Sequence, residues 1–198
     1  MRSLLSIPCL YDAFQFLARG KAYQERLARM YIRAQPGDRV LDLGCGTGAM
    51  LTCLPNVEYV GIDMSPAYIA AGRRRHGVRG RFLCMELTAD TVEGFNEFDV
   101  ILAVGVVHHL DDPRALNLFR VAYDSLRPGG RLVTLDGVFT SGQSRIRRAL
   151  LEADRGRHVR SEPAYRSLAT GVFSDVKTVV IEDLFRIPYT NLIMECTR

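Results

Sequence analysis

The chain has no apolar run approaching bilayer-spanning length, no internal repeat and no low-complexity stretch among its 198 residues. Transmembrane helices, solenoids and a disordered chain are therefore not expected. Cysteine is scarce and unpatterned. Cys9, Cys45, Cys53, Cys84 and Cys196 are odd in number and show neither CxxC nor Cys/His spacing, so a disulfide framework or a metal centre is not expected, and a reducing cytoplasm fits best. Charge of one sign is also in short supply. A net charge of +4 permits an anionic substrate but falls short of the basic stripe of a nucleic-acid binder, so neither nucleic acid nor membrane is an expected partner. After Arg2 the apolar stretch 4–10 is broken by Ser6 and Pro8 and gives way to charged helical sequence, unlike a secretory leader.

The rest of the composition is that of a soluble globular protein, 47% hydrophobic and 24% charged, at a length suited to one domain over 1–198. The chain is organised around residues 40–48, where an apolar run containing Asp42 closes on Gly44, Gly46 and Gly48. The run reads as a buried strand, and glycines spaced two apart permit positive φ and close backbone approach to a ligand. A helix beginning after Gly48 would point its free N–H groups back at that ligand.

Around this turn the chain alternates strand and helix. Amphipathic spacing predicts one or two helices over 11–33, ended by Pro36-Gly37, then a strand at 39–43 and a short helix at 49–54 stopped by Pro55. A second strand, 57–63, ends on Asp63, and Ser65-Pro66 opens a helix running to about His76. Strands follow at 79–85 and 98–104. The latter leads through Gly105 to His108 and His109, and Asp111-Asp112-Pro113 starts a helix to about Leu126. Residues 127–130 turn the chain into a fifth strand, 131–135. This rhythm predicts βαβ units and a doubly wound, mostly parallel sheet of an α/β fold. Beyond Asp136 come an arginine-rich stretch, 142–160, a helix opened by Glu162-Pro163, and strands 176–181 and 192–196 joined by 182–191. With no helix between them, the last two can only pair antiparallel, as a C-terminal hairpin that brings the sheet to seven strands.

Two ligands fit the glycine turn. Gly44, Gly46 and Ala49 satisfy the dinucleotide fingerprint, with Asp63 near the distance of its ribose acid, which points to an NAD(P)-dependent oxidoreductase. Against it stand Asp42 ahead of the first glycine, the third alternate glycine Gly48, and a closing hairpin that leaves no room for a separate substrate domain. The pattern Asp-x-Gly-x-Gly-x-Gly, with acids closing strands one, two and three, instead resembles the class I S-adenosylmethionine-dependent methyltransferases, over about 38–135 by motif.

The resemblance implies a Rossmann-like methyltransferase fold and S-adenosylmethionine as cofactor. Gly44, Cys45, Gly46 and Gly48 would line its methionine part with Asp42 at the ammonium, Asp63 would take both ribose hydroxyls, and Met64 would pack on the adenine. Glu86, where the family usually has aspartate, and the Leu87 N–H would meet the adenine edge, and Val104 and Gly105 would run beside the sulfonium. Residues 127–130 resemble the family's turn before strand five. Tyr11 and Phe14 would close over the cofactor from an N-terminal helical cap, 1–37. A cofactor-binding core over 38–135, a helical substrate-side insertion at 137–175 and the hairpin at 176–197 complete the division. His108 and His109, just past strand four, are candidates for a base, with imidazole poised near neutral pH. Asp136, Arg186 and Tyr189 fall on the carboxyl side of the sheet and are substrate candidates, arginine being suited to a phosphate or carboxylate. The N-methyltransferase signature Asn-Pro-Pro-Tyr is absent after strand four, which favours O- or C-methylation of a small-molecule substrate. A non-catalytic S-adenosylmethionine-binding protein is the remaining alternative.

Overall fold

A computed structural model describes residues 22–86, 95–154 and 156–198. Tyr11, Phe14 and Leu87 lie outside the described residues. The described chain enters through α1 (Ala22–Leu27) and one π-helical turn (Ala28–Ile32) ended by Arg33 in the left-handed region. It continues through β1 (Arg39–Leu43), β2 (Glu58–Asp63), α2 (Pro66–His76), β3 (Gly80–Cys84), β4 (Phe98–Val104) and α3 (Asp112–Ser125). After β5 (Leu126–Phe139) come α4 (Arg145–Glu152), a two-residue β6 (Arg160–Ser161), α5 (Glu162–Thr170), β7 (Asp175–Ile181) and β8 (Asn191–Thr197).

The sheet order is β3-β2-β1-β4-β5-β8-β7, with β6 attached to β5. β1 to β5 are parallel, and β8 is antiparallel to both of its neighbours, β5 and β7. The expected hairpin is thus present, with its second strand slotted between β5 and the first. The winding reverses between β1 and β4, and a reversal of this kind opens a crevice at the strands' carboxyl ends. Two apolar clusters fill the two faces, one centred on Leu27, Val40, Tyr59 and Phe82, the other on Leu41, Ile101, Phe119 and Met194. Burial on both faces explains why β1 and β4 read as continuous apolar runs.

Helix starts follow the cap chemistry. Ser65 accepts from the Tyr68 N–H with Pro66 behind it, and Asp111 accepts from the Arg114 N–H. Two expectations differ in detail. The segment after Gly48 is a five-residue 3₁₀ turn, Ala49–Cys53, because its cap, Gly48, offers no side-chain acceptor and Pro55 leaves no room to propagate an α-helix. The expected turn at 127–130 is absorbed into β5, which begins at Leu126, slips register against β4 between Phe98 and Val100, and is buttressed by hydrogen bonds that Gly129 and Gly130 exchange with Arg198. Among the described residues no helix is long and apolar enough to cross a membrane.

The arginine-rich stretch is not uniformly a solvated face. Arg147 pairs with Glu182 at 3.3 Å and Arg148 with Glu152 at 3.0 Å. Arg160 is a rivet, with a side chain only 9% exposed. It donates to Asp112 at 2.7 Å, to the carbonyls of Leu110 at 2.7 Å and His158 at 2.9 Å, and more weakly to Val107 at 3.3 Å. Arg160→Met should cost about 2–3 kcal/mol, because it takes the donor from the partly buried carbonyls of Val107, Leu110 and His158, whereas the exposed Asp112 carboxylate is solvated by water. Urea unfolding checks this, and a loss below about 0.5 kcal/mol would show the bonds to be incidental.

Candidate functional site

The glycine turn stands at the carboxyl end of β1 and is tied to the end of β2. The Gly44 and Cys45 N–H groups both donate to the Ile62 carbonyl, at 2.8 and 3.0 Å, and the Gly46 N–H donates to Asp63 Oδ2 at 3.0 Å. Gly44, Gly46 and Gly48 have φ of 72°, 56° and 73°, a region that disfavours residues with a Cβ. Packing adds to the constraint, since a Cβ on Gly44 would come within 2.6 Å of Val106 and one on Gly48 within 2.6 Å of the Phe82 ring.

Two acids flank the turn. Asp63 holds Gly46 through one oxygen and the Ser65 N–H through the other, at 2.8 Å, which fixes the carboxylate plane while each oxygen keeps a lone pair. Partial burial raises its pKa, against the two N–H bonds that lower it. Asp42 is buried, and Oδ2 accepts from the Tyr59 hydroxyl at 2.7 Å. Burial pushes Asp42 up to about 7; the Tyr59 bond opposes the shift and the Asp63 charge adds to it. Met64, 72% exposed, and Glu86, also exposed, follow the carboxyl ends of β2 and β3, which the Met85 N–H joins by donating to the Asp63 carbonyl. Val104 is half-buried at the end of β4, and Gly105 (φ 73°) turns the chain with its N–H on the Leu135 carbonyl at 2.7 Å.

A second polar group lies further along the carboxyl edge. His108, in a 3₁₀ turn after β4, is buried with Nδ1 2.7 Å from Asp136 Oδ1 and Nε2 3.7 Å from Asp154 Oδ1. The Tyr189 hydroxyl donates to Asp154 Oδ2 at 2.7 Å. Burial alone would lower the pKa of His108, but the bonds and charges of Asp136 and Asp154 outweigh it and raise it to about 9. With a carboxylate at each ring nitrogen the imidazole is a cation at neutral pH and offers no lone pair. His109 is exposed, its ring centroid 4.2 Å from that of His108. Arg186 is exposed in the β7–β8 connection.

Residues 41–132 match the family model described as a methyltransferase domain. The chain is 38% identical over 104 residues to a ubiquinone biosynthesis O-methyltransferase of a Bradyrhizobium species, covering 49% of this chain and 39% of that protein. It is 32% identical over 156 residues to the ribosomal protein L11 methyltransferase of Thermus thermophilus, covering 74% and 58%. Over residues 41–132 the chain carries a methyltransferase domain, and its fold is that of the S-adenosylmethionine-dependent methyltransferases. It spans less than two thirds of the length of these curated relatives. The fold is also that of N-methyltransferase NodS from Bradyrhizobium japonicum, solved with S-adenosyl-L-homocysteine, at a TM-score of 0.65, 19% identity and coverage of 90% and 87%.

Within this methyltransferase fold the expected residues fall into two groups. Asp42, Gly44, Cys45, Gly46, Gly48, Asp63, Met64, Glu86, Val104 and Gly105 gather at the carboxyl ends of β1 to β4. His108, Asp136 and Tyr189 are joined by Asp154, which sequence reasoning did not single out. Tyr59 was also missed; its place three residues into a strand beginning near 57 looks like ordinary core packing. The one usable signal was alternation along that strand, which puts Tyr59, Gly61 and Asp63 on the same side.

Proposed function

We propose that the protein binds S-adenosylmethionine in the glycine turn and transfers its methyl group to a small-molecule acceptor by O- or C-methylation, in the cytoplasm. The observation that carries this reading is Asp63, whose two oxygens are each fixed by a backbone N–H beside three positive-φ glycines. Such a carboxylate suits a ribose diol, because it keeps one acceptor site per oxygen. Asp42 would face the cofactor's ammonium, backbone at Gly44, Cys45 and Gly46 its amino-acid part, Met64 and Glu86 its adenine, and Val104 and Gly105 its sulfonium. When bound, the cofactor supplies an electrophilic methyl group. The chain's own contribution is alignment and exclusion of water, which can remove several kcal/mol of barrier. His108 enters as a fixed imidazolium and not as a base. Arg186 suits an anionic acceptor.

The test is product formation. With S-adenosylmethionine and a panel of phenols, hydroxy acids and activated methylenes, release of S-adenosylhomocysteine and a mass gain of one methylene on an acceptor are expected. Turnover with ribosomal protein L11 and with no small molecule would overturn the acceptor class.

Asp42 also sets a pH dependence. Its folded value near 7 means the group is protonated below that pH, and a bound ammonium favours the carboxylate. Affinity for S-adenosylmethionine should therefore rise between about pH 5.5 and about pH 7, level off above, and be accompanied below about pH 7 by proton release. Tyr59→Phe removes the bond that stabilises the carboxylate and should move the midpoint upward. Calorimetry in two buffers of different ionisation enthalpy measures both, and an affinity flat across this window would contradict the placement of the ammonium.

A further inference from the structure

Asp154 follows α4 and stands where three separate stretches of chain meet. Its Oδ2 accepts from the Tyr189 hydroxyl at 2.7 Å, reaching the β7–β8 connection. Its Oδ1 accepts from the Gly156 N–H at 2.9 Å and lies 3.7 Å from His108 Nε2, reaching the turn after β4. On the far side of the imidazole, Asp136 of β5 accepts from the His108 backbone N–H at 3.1 Å as well as from the ring. Two glycines clear the space. A Cβ on Gly156 would lie 1.9 Å from His108 Cδ2, and one on Gly137 2.6 Å from the Tyr189 hydroxyl. The segment containing Asp154 is also pinned by the His158 N–H on the His108 carbonyl, at 3.0 Å.

The place of this group gives it a purpose. β8 begins opposite the end of β5, with Asn191 against Gly137, so Tyr189 and Asp136 share the carboxyl edge on which Gly105 also sits. Within the group the side chains of His108 and Asp136 are 4% and 1% exposed, whereas that of Asp154 is 20% exposed, so of the three Asp154 is the one that solvent reaches.

We propose that Asp154 is a positioning residue of the methyl-transfer site, holding His108 and Tyr189 so that the turn after β4, residues 156–160 and the β7–β8 connection form one rigid wall on the acceptor side. The purpose rests on the methyltransferase reading; the linkage among the side chains does not. His108 is the reporter. The groups that face it are Asp136 from β5, Asp154 after α4 and the neighbouring His109 ring, with Tyr189 behind Asp154, and Arg160 and His158 reaching only the backbone of its turn. Its protonated form is favoured by both carboxylates, so the wall is held below the titration of His108 and loosens as pH rises through about 9.

The test uses the full chain. Asp154→Asn keeps the shape and removes the charge. NMR titration of the His108 ring should show its midpoint falling by about one unit or more. Exchange of the His158 N–H should quicken at least about tenfold, while affinity for S-adenosylhomocysteine stays within about twofold, since the glycine turn is untouched. Tyr189→Phe removes a donor but leaves the charge, so it should not lower the His108 midpoint, and it remains informative if Asp154→Asn does not fold. An unchanged midpoint in Asp154→Asn, or a fall in Tyr189→Phe, would overturn the proposal. Failure of the wild-type chain to bind S-adenosylhomocysteine would remove the methyl-transfer purpose yet leave the His108 titration readable, so the two failures are distinguishable.

Discussion

Asp63→Ala should weaken binding of S-adenosylhomocysteine by at least about tenfold and, when neither ribose hydroxyl finds its acceptor, by about a hundredfold. A hydrogen bond to a charged group contributes about 1.5–3 kcal/mol, and about 1.4 kcal/mol is a factor of ten, so one such bond accounts for the lower figure. The substitution also takes the acceptor from the Gly46 and Ser65 N–H groups, which now hold the glycine turn and the start of α2 against the end of β2. Asp63→Asn separates the two effects. Its amide keeps one acceptor oxygen while losing the charge and replacing the other acceptor with a donor, so affinity should fall between wild type and Asp63→Ala. Titration calorimetry of both variants, with unfolding measured alongside, reads the difference. Unchanged affinity in Asp63→Ala would mean that the ribose does not sit at this carboxylate.

Gly48→Ala should be the more damaging change to the fold. Gly48 has φ of +73°, and an added Cβ would meet Phe82 Cε1 at 2.6 Å and Cζ at 2.7 Å. That ring is already wedged between Gly48 and Gly72 and stacked on His76, so it has no direction in which to yield. The left-handed conformation costs a residue with a Cβ about 1–2 kcal/mol, and overpacking adds about 1–3. The sum, about 2–5 kcal/mol, corresponds to a fall in Tm of roughly 5–15 °C for a chain of this size. Gly37 is the control, since its φ is +90° but nothing lies within 4 Å of an added Cβ. Gly37→Ala should show the backbone cost alone, about 1–2 kcal/mol. Equal losses in the two variants would show that the packing against Phe82 carries no weight.

These two positions illustrate what a sequence makes visible. Gly48 and Asp63 belong to local patterns, glycines alternating after an apolar strand and an acid closing the next one, and local patterns survive in one dimension. The alternation of strands with capped helices is of the same kind, because Ser65-Pro66 and Asp111 to Pro113 announce helix starts regardless of what packs on them. The features that escaped depend on long-range pairing. Tyr59 matters because parallel register sets Asp42 opposite Gly61 and brings a neighbouring hydroxyl to its carboxylate. Asp154 is hidden among arginines, and its partners His108 and Tyr189 are 46 and 35 residues away in sequence. Arg160 carries nothing in sequence that separates it from the other arginines of 142–160, yet its guanidinium is enclosed by carbonyls. The slot for β8 between β5 and β7 follows from the sheet as a whole, since adjacency of β7 and β8 in sequence says that they pair but not on which side.

The proposed occupant of the turn at 44–48, with Asp42 and Asp63 beside it, is S-adenosylmethionine and not a dinucleotide. The most direct measurement is a calorimetric titration of the chain with S-adenosylhomocysteine, matched by a fluorescence titration with NADH. Saturable binding of S-adenosylhomocysteine at one site per chain, with NADH fluorescence unchanged, is the predicted result. Quenching of NADH with no heat from S-adenosylhomocysteine would contradict it.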